Sequence, residues 1–315
     1  MGTTAVKWRI GVRKFGQRQR REALEFYLMI APWVLGFLVL TLGPMLYSLF
    51  LSFHDFDLFH APRWVALGNF RYLFFEPYPA NPFWKSLAVT TYFTFLSVPV
   101  GIISSLVIAM LLNARIRGRA LYRTLFYLPS LTPSVASALL WIWILNSRWG
   151  LANAVLRTVG LPELRWLTDA SLVIPSFVLM GLWSAGGNTA VIFLAGLQGV
   201  PAHLYEAAEI DGANWWRRIW AVTLPMISPT IFFNLIMGII GSFQVFNSAY
   251  LMTDGGPEYA TYFLVLYIYQ EAFKKLQFGR GSAIAWILFI ILLFFTLVQF
   301  RLSGRWVYYE GEAAR

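Results

Sequence analysis

The sequence predicts an all-α, polytopic membrane protein with six transmembrane helices. Three observations predict it. The 315 residues are 58% hydrophobic and only 13% charged, whereas a soluble domain carries about a quarter charged residues; the mean hydropathy is +0.60. The charges are confined so that six long runs contain no Asp, Glu, Lys or Arg. The cations, finally, are distributed unevenly between alternate loops, as expected of a chain that crosses a bilayer repeatedly.

The charge-free runs are 26–53, 86–114, 124–147, 170–202, 219–253 and 281–300. Each holds the ~20 residues a helix needs to cross a ~30 Å hydrocarbon core. The expected spans are about 26–53, 86–113, 124–147, 170–200, 223–251 and 281–301, within one domain covering 26–303. A basic tail, 1–25, precedes them and a short tail, 304–315, follows. The run 259–270 is too short to cross and reads as an interfacial or extracytoplasmic helix.

The first run is 28 residues long and lacks a small-residue cleavage site. Signal-peptide apolar regions are about 7–15 residues, so a retained span is expected. Six spans place both termini on one side, and the loops on that side hold sixteen Lys/Arg against nine in the others. The stretch 113–123, NARIRGRALYR, has four arginines and no acid. The positive-inside rule puts both termini in the cytoplasm. The net charge of +10 is then explained by topology, and nucleic-acid binding loses its support.

The extracytoplasmic loops carry a few distinctive stretches. His54, Asp55, Asp57 and His60 could imitate a metal cluster, but a polar loop leaving the membrane accounts for them. The segment 146–170 suggests a short surface helix, and Thr253-Asp254-Gly255-Gly256-Pro257 a turn. Leu128-Pro129 followed by Pro133 echoes Leu224-Pro225 followed by Pro229. A first-turn proline costs little, whereas the second should kink its helix.

Several chemistries are absent. None of the five lysines (7, 14, 85, 274, 275) follows a phosphate-binding glycine loop, so the chain is not its own P-loop ATPase. There are no cysteines, no H-E-x-x-H and no carboxylate inside an apolar run. Ion-coupled carriers usually keep an ionisable residue within the membrane, so the driving force is expected to act from outside the bilayer.

One polar island interrupts this pattern: Glu206–Pro229, EAAEIDGANWWRRIWAVTLPMISP. Glu206, Glu209, Ile210 and Ala213 fall on one side of a helix at i, i+3, i+4 and i+7. Gly212 permits a turn, Arg217 and Arg218 mark the return to the bilayer, and Thr223 and Pro225 suit an N-cap and first turn of the fifth span. These residues fit a cytoplasmic helix-turn-helix with an exposed docking face, and equally a solvated loop kept out of the membrane by its charges.

The pattern Glu206-Ala207-Ala208-x-x-Asp211-Gly212-Ala213, then Leu224-Pro225-x-x-x-Pro229, resembles the EAA motif of ABC-importer permeases. The likeness is greatest to the carbohydrate-uptake subfamily, which includes maltose and glycerol-phosphate permeases. It extends through Gly68-Asn69-Phe70, Arg123, Leu128-Pro129, Trp149-Gly150-Leu151-Ala152-Asn153, Trp166-Leu167, Leu194-Ala195-Gly196-Leu197-Gln198 and Thr253-Asp254-Gly255-Gly256-Pro257.

The resemblance implies that the loop 203–222 is a coupling helix seated in an ATPase subunit. Glu206 would meet a basic residue there, Gly212 would allow the turn, and Ala207 and Asp211 would share the contact. It implies a sugar or polyol-type solute, a second permease subunit, two ATPase subunits and an extracytoplasmic solute-binding protein, in a bacterial plasma membrane. ATP and Mg would be bound by the partner ATPase, with no cofactor in this chain. ATP-driven closure would pull the coupling helices and turn the bundle outward. The spacing to maltose-type permeases implies substrate contacts at Ser184, Ala185, Asn188, Gly238, Gly241, Ser242 and Val245, although Asn188 and Val245 depart from the maltose pattern.

Asn188, Ser242, Gln244 and Asn247 are polar groups within the apolar runs, as a sugar path needs, and helix–helix hydrogen bonding accounts for them equally well. The competing functional class is a membrane scaffold or secondary carrier working without an ATPase. The lack of intramembrane charge speaks against the carrier.

Overall fold

The computed structural model describes residues 17–114 and 117–308, with residues 17–19 as backbone only. Most of the basic tail, Arg115, Ile116 and the last seven residues lie outside the described residues. The chain divides into two compact units, 1–50 and 51–315.

The described part of the first unit is one helix. α1 (Gln17–Gly36) continues through a π-helical turn, Phe37–Leu42, into α2 (Gly43–Ser52). The π turn has a cause in the sequence. Pro44 has no N–H to donate and its ring crowds the carbonyl four residues earlier. The widened turn, in which Gly43 N–H reaches Leu38 O, relieves this without breaking the helix. Arg20–Ser52 is long and apolar enough to cross a membrane, in agreement with the first expected span.

The second unit opens with a two-stranded hairpin, β1 (His54–Asp55) against β2 (Arg63–Trp64), with His54 opposite Trp64. The short helix α3 (Gly68–Phe75) leads to the long helix α4 (Phe83–Asn113). After the arginine-rich loop come α5 (Arg119–Tyr127), a 3₁₀ turn at Leu128–Leu131, α6 (Ser134–Ile144) and the surface helix α7 (Leu151–Thr158). α8 (Val173–Trp183) and α9 (Asn188–Gln198) follow, then α10 (Ala202–Ile210) and α11 (Trp215–Arg218). A π turn at Ile219–Thr223 leads to α12 (Leu224–Met226), α13 (Ser228–Phe243), α14 (Asn247–Met252), α15 (Leu264–Tyr269) and α16 (Phe278–Ser303).

Four helices are long and apolar enough to span: Arg20–Ser52, Phe83–Asn113, Ser228–Met252 and Phe278–Ser303. The third and fourth expected spans are instead bent pairs. The pair 119–131 and 134–144 turns by 95°, and 173–183 and 188–198 by 54°. Among the described residues the count is therefore four, or six if each bent pair crosses as one span. At the first bend Pro133 forces Thr132 into an extended conformation (ψ 124°), which ends the preceding turn. At the second, Ser184-Ala185-Gly186-Gly187 packs against the 126–130 segment. A Cβ on Gly186 would overlap the Phe126 carbonyl and one on Gly187 would overlap the Ser130 side chain.

The entry to the fifth span also departs from the sequence reading. Thr223 is helical (φ −63°, ψ −56°) and caps nothing. The helix runs into Pro225 through a π turn with Leu224 N–H on Ile219 O, the same accommodation as at Pro44. The break falls at Ile227, and Pro229 occupies the first turn of α13 rather than kinking it. The segment 259–270 is short, as expected, and α15 packs inward, with Leu264, Leu266 and Tyr267 fully buried.

Two apolar cores lie at opposite ends of the second unit. One joins the N-terminal halves of α4, α8 and α16 to the end of α13 and to α15, around Phe83, Phe93, Phe177, Phe243, Phe263 and Ile284. The smaller joins the C-terminal ends of α4 and α9 to the start of α13, around Ala109, Phe193, Leu197 and Ile227. Outward faces stay apolar, with Phe95, Ile103, Leu111, Trp143, Leu293, Phe294 and Leu297 exposed. In water so large an apolar surface would drive aggregation, but in lipid it is compatible with the solvent.

Candidate functional site

The polar island forms a helix-turn-helix. α10 ends in a Schellman motif: Ala213 N–H donates to Ala208 O at 2.9 Å and Gly212 N–H to Glu209 O at 3.0 Å. The motif needs a left-handed residue at Gly212, whose φ is +74°. A Cβ there would meet nothing within 4 Å, so backbone conformation, not space, is what favours glycine. Asn214 then caps α11, its Oδ1 accepting Arg217 N–H at 2.9 Å. Sequence reasoning missed this cap, although Asn two residues beyond a helix-ending glycine is a recognisable start signal.

The loop is strapped to the entry of the fifth span. Arg218 pairs with Glu209 at 3.3 Å. The Tyr205 hydroxyl and Thr223 Oγ1 share a hydrogen bond at 3.0 Å, between α10 and the π turn that feeds that span. Thr223 is thus buried and bonded, though not as the cap the sequence suggested.

Glu206, Ala207, Asp211 and Gly212 are all exposed and lie together at the C-terminal end of α10. Glu206 has no ion-pair partner among the described residues. Ile210 is 87% exposed, and Trp215, Trp216 and Trp220 are exposed nearby. An acidic and apolar surface on a rigid turn can receive a partner that offers a cation and a socket. The face is smaller than the sequence suggested. The helix stops at Ile210, so Ala213 lies beyond the turn, and Glu209 is engaged by Arg218.

Between the two apolar cores lies a cavity of about 410 Å³. Of the residues singled out from the sequence, Ser184, Ala185, Gly238, Gly241, Ser242 and Val245 line it. Ser242 Oγ also donates to Thr94 Oγ1 at 2.9 Å, linking α13 to α4. Asn188, Gln244 and Asn247 are not part of the lining. Asn188 Oδ1 accepts from the Tyr127 hydroxyl at 3.3 Å, and Asn247 Nδ2 donates to Ser134 Oγ at 2.8 Å. Those two amides hold helices together in this structure. Sequence reasoning missed Ser97, Ser105, Thr189 and Asn234, which complete the polar lining. All four lie within charge-free runs, but so do half-buried hydroxyls bonded to their own helix, such as Ser104 and Thr296.

No group of three His, Cys, Asp or Glu that could hold a metal occurs among the described residues. In the HDFDLFH stretch Asp57 accepts the N–H groups of Phe59 and His60 and pairs with His60 Nδ1 at 2.8 Å, closing a tight loop. The hydrogen bond from the His60 side chain, and then those from the backbone, hold the Asp57 carboxyl below its usual range.

A bundle of apolar helices around a largely apolar cavity with a few hydroxyls and one amide in its wall, together with an exposed charged turn, fits a polytopic membrane protein of the permease class. Comparison with known proteins agrees. Residues 97–307 match the family described as binding-protein-dependent transport system inner membrane component. A probable ABC transporter permease protein of Bacillus subtilis, YesP, is 40% identical over 93% of this chain and 94% of its own length. The trehalose/maltose transport system permease protein MalF of Thermococcus litoralis is 34% identical over 90% of this chain and 95% of its own. A crystal structure of a bacterial ABC transporter involved in import of the acidic polysaccharide alginate contains a chain of the same fold, with TM-score 0.79 at 24% identity, covering 91% of this chain and 98% of that one. The chain belongs to the family of binding-protein-dependent transport system inner membrane components, the ABC-importer permeases.

Proposed function

We propose that the chain is a permease subunit of an ABC importer for a sugar or polyol-type solute, with both termini cytoplasmic. The observation that carries the reading is the α10–α11 turn. It presents Glu206, Ala207, Asp211 and Gly212 outward and is tied to the fifth span through Glu209–Arg218 and Tyr205–Thr223. An ATPase seated on that face would move α10, and the two ties would carry the movement into α13, which lines the central cavity. ATP and Mg are bound by the partner ATPase. A second permease completes the path, and an extracytoplasmic protein delivers the solute. The sugar assignment is supported by the trehalose/maltose relative and by the hydroxyls and amide of Ser97, Ser105, Ser184, Thr189, Asn234 and Ser242 around the cavity.

Co-expression with the ATPase and the second permease, purification through this subunit and a saccharide screen with binding protein test the proposal. Sugar-stimulated ATP hydrolysis is expected. Glu206→Lys and Gly212→Asp are expected to lose ATPase co-purification and transport while inserting normally. Normal transport with the ATPase bound in both variants would refute the docking role.

A further inference from the structure

A concavity larger than the central cavity lies at the opposite end of the second unit from the coupling turn. It is an open groove of about 1120 Å³, built from the 146–149 loop, the 163–168 loop and the Met252–Pro257 turn. Its walls are fixed by one fully buried side chain. Asn153 Nδ2 donates to Ser147 O and to Leu164 O, both at 2.9 Å. Its Oδ1 accepts Leu164 N–H at 3.1 Å and Trp166 Nε1–H at 2.9 Å. Asn146 Oδ1 accepts the N–H groups of Arg148 and Trp149, which sets the rim. On the third wall Thr253 and Thr261 share a hydrogen bond at 2.6 Å. The groove is therefore formed in advance of any ligand.

Its exposed lining is chemically specific. Arg148 and Arg165 are exposed in it, and among the described residues neither guanidinium has a carboxylate at ion-pair distance. Glu163, also in the lining, is taken by Arg157 at 3.1 Å. Asp169, next to the groove, accepts the Ser171 hydroxyl at 2.6 Å and feels the charge of Arg165 without an ion pair to it. Trp149 is exposed beside Arg148, its ring held edge-on to Trp143 at 5.6 Å. Thr168, Thr253 and backbone edges supply neutral polar groups. Guanidinium forks match carboxylates, and an aromatic face suits the C–H face of a sugar ring. A lone small anion would leave most of the volume empty.

We infer that this groove binds a carboxylate-bearing oligosaccharide, with Arg148 and Arg165 on uronate carboxylates and Trp149 against a ring. This deepens the sugar-import reading and rests on it: the groove would be a receiving site at the mouth of the path, and the solute class acidic. The preformed concave walls favour a chain of sugar rings over a protein surface, which buries a broader, flatter patch.

The test uses the importer complex in nanodiscs without binding protein, titrated calorimetrically with a galacturonate tetrasaccharide and with its fully methyl-esterified form. The acid is expected to bind, the ester to bind far more weakly, and affinity to fall as salt rises. The double variant Arg148→Gln/Arg165→Gln is expected to weaken binding roughly tenfold or more, and the corresponding lysines to restore part of it. Both arginines are exposed, so membrane yield and ATPase co-purification of the variants should match wild type. Equal binding of acid and ester, or unchanged binding by the double variant, overturns the inference. So does a double variant that keeps tetrasaccharide binding but, in a separate pull-down, loses the binding protein, which would make the groove a protein-docking face. A complex stimulated by neutral sugars that ignores the tetrasaccharide overturns the groove assignment and leaves the importer reading standing. A complex that binds the tetrasaccharide but is stimulated by no saccharide removes the importer reading instead.

Discussion

Three buried asparagines hold the loops of the second unit, each through its side-chain amide. Asn69 Nδ2 donates to the carbonyls of Ser52 and His54. Asn81 donates to Tyr72 O and Leu73 O and accepts from Phe83 N–H and the Tyr267 hydroxyl. Asn153 binds Ser147, Leu164 and Trp166 together. A short amide can satisfy several orphan backbone groups at once, and buried backbone groups must be satisfied. Asn153→Ala would leave two donors and two acceptors without partners, and a cost of roughly 2–3 kcal/mol is expected. Thermal unfolding in detergent measures it; an unchanged midpoint would show that water replaces the amide. The Asp57 loop makes a pH prediction. Because the folded carboxyl titrates below its usual range, its contribution is complete above the unfolded carboxylate pKa and is lost as pH falls through the lower folded value. Protection of the Phe59 and His60 amides, taken relative to the intrinsic exchange rate at each pH, should therefore fall in acid, and Asp57→Asn should show the lower protection already at neutral pH.

At the scale of elements, the recurring device is the managed break. Pro44 and Pro225 are each preceded by a π turn that lets the helix continue. Pro133 and the Gly186-Gly187 pair instead produce bends of 95° and 54°. The sequence contained the prolines and glycines, but not which outcome each would have. That depends on whether neighbours accept a widened turn or fill the corner of a bend. The α8–α9 joint is the clearest case, since only residues without a side chain fit against Phe126 and Ser130. Gly187→Val is expected to destabilise the bundle by roughly 1–3 kcal/mol through overpacking. It should also reduce sugar-stimulated ATP hydrolysis, because Ser184 and Thr189 flank this joint in the cavity wall. A variant with wild-type stability and turnover would mean the joint can open without consequence.

For the whole molecule, the proposed topology puts the hairpin loop and the 146–172 segment on one side of the membrane and the arginine loop and α10 on the other. The chain has no cysteine, so single cysteines report without background. Ala61→Cys and Leu161→Cys should react with an impermeant maleimide applied to intact cells, and Arg117→Cys and His203→Cys only after permeabilisation. The opposite pattern would invert the topology and place the α10 turn where no cytoplasmic ATPase could reach it.

Hydropathy, the spacing of charges and the motif around Glu206 were sufficient for the helical membrane class and for an exposed turn at Gly212. These properties follow from local composition: a residue's cost in lipid and a glycine's freedom at positive φ do not depend on distant partners. Which polar groups line the central cavity was not legible in this way. Ser242 and Ser184 reach the cavity while Asn188 and Asn247 are consumed by Tyr127 and Ser134, because a hydrogen bond between helices depends on where two distant segments meet. The 146–168 groove likewise exists only because Asn153 binds segments eleven and more residues apart into one wall. Packing alone brings Arg148, Trp149 and Arg165 to the same concave surface.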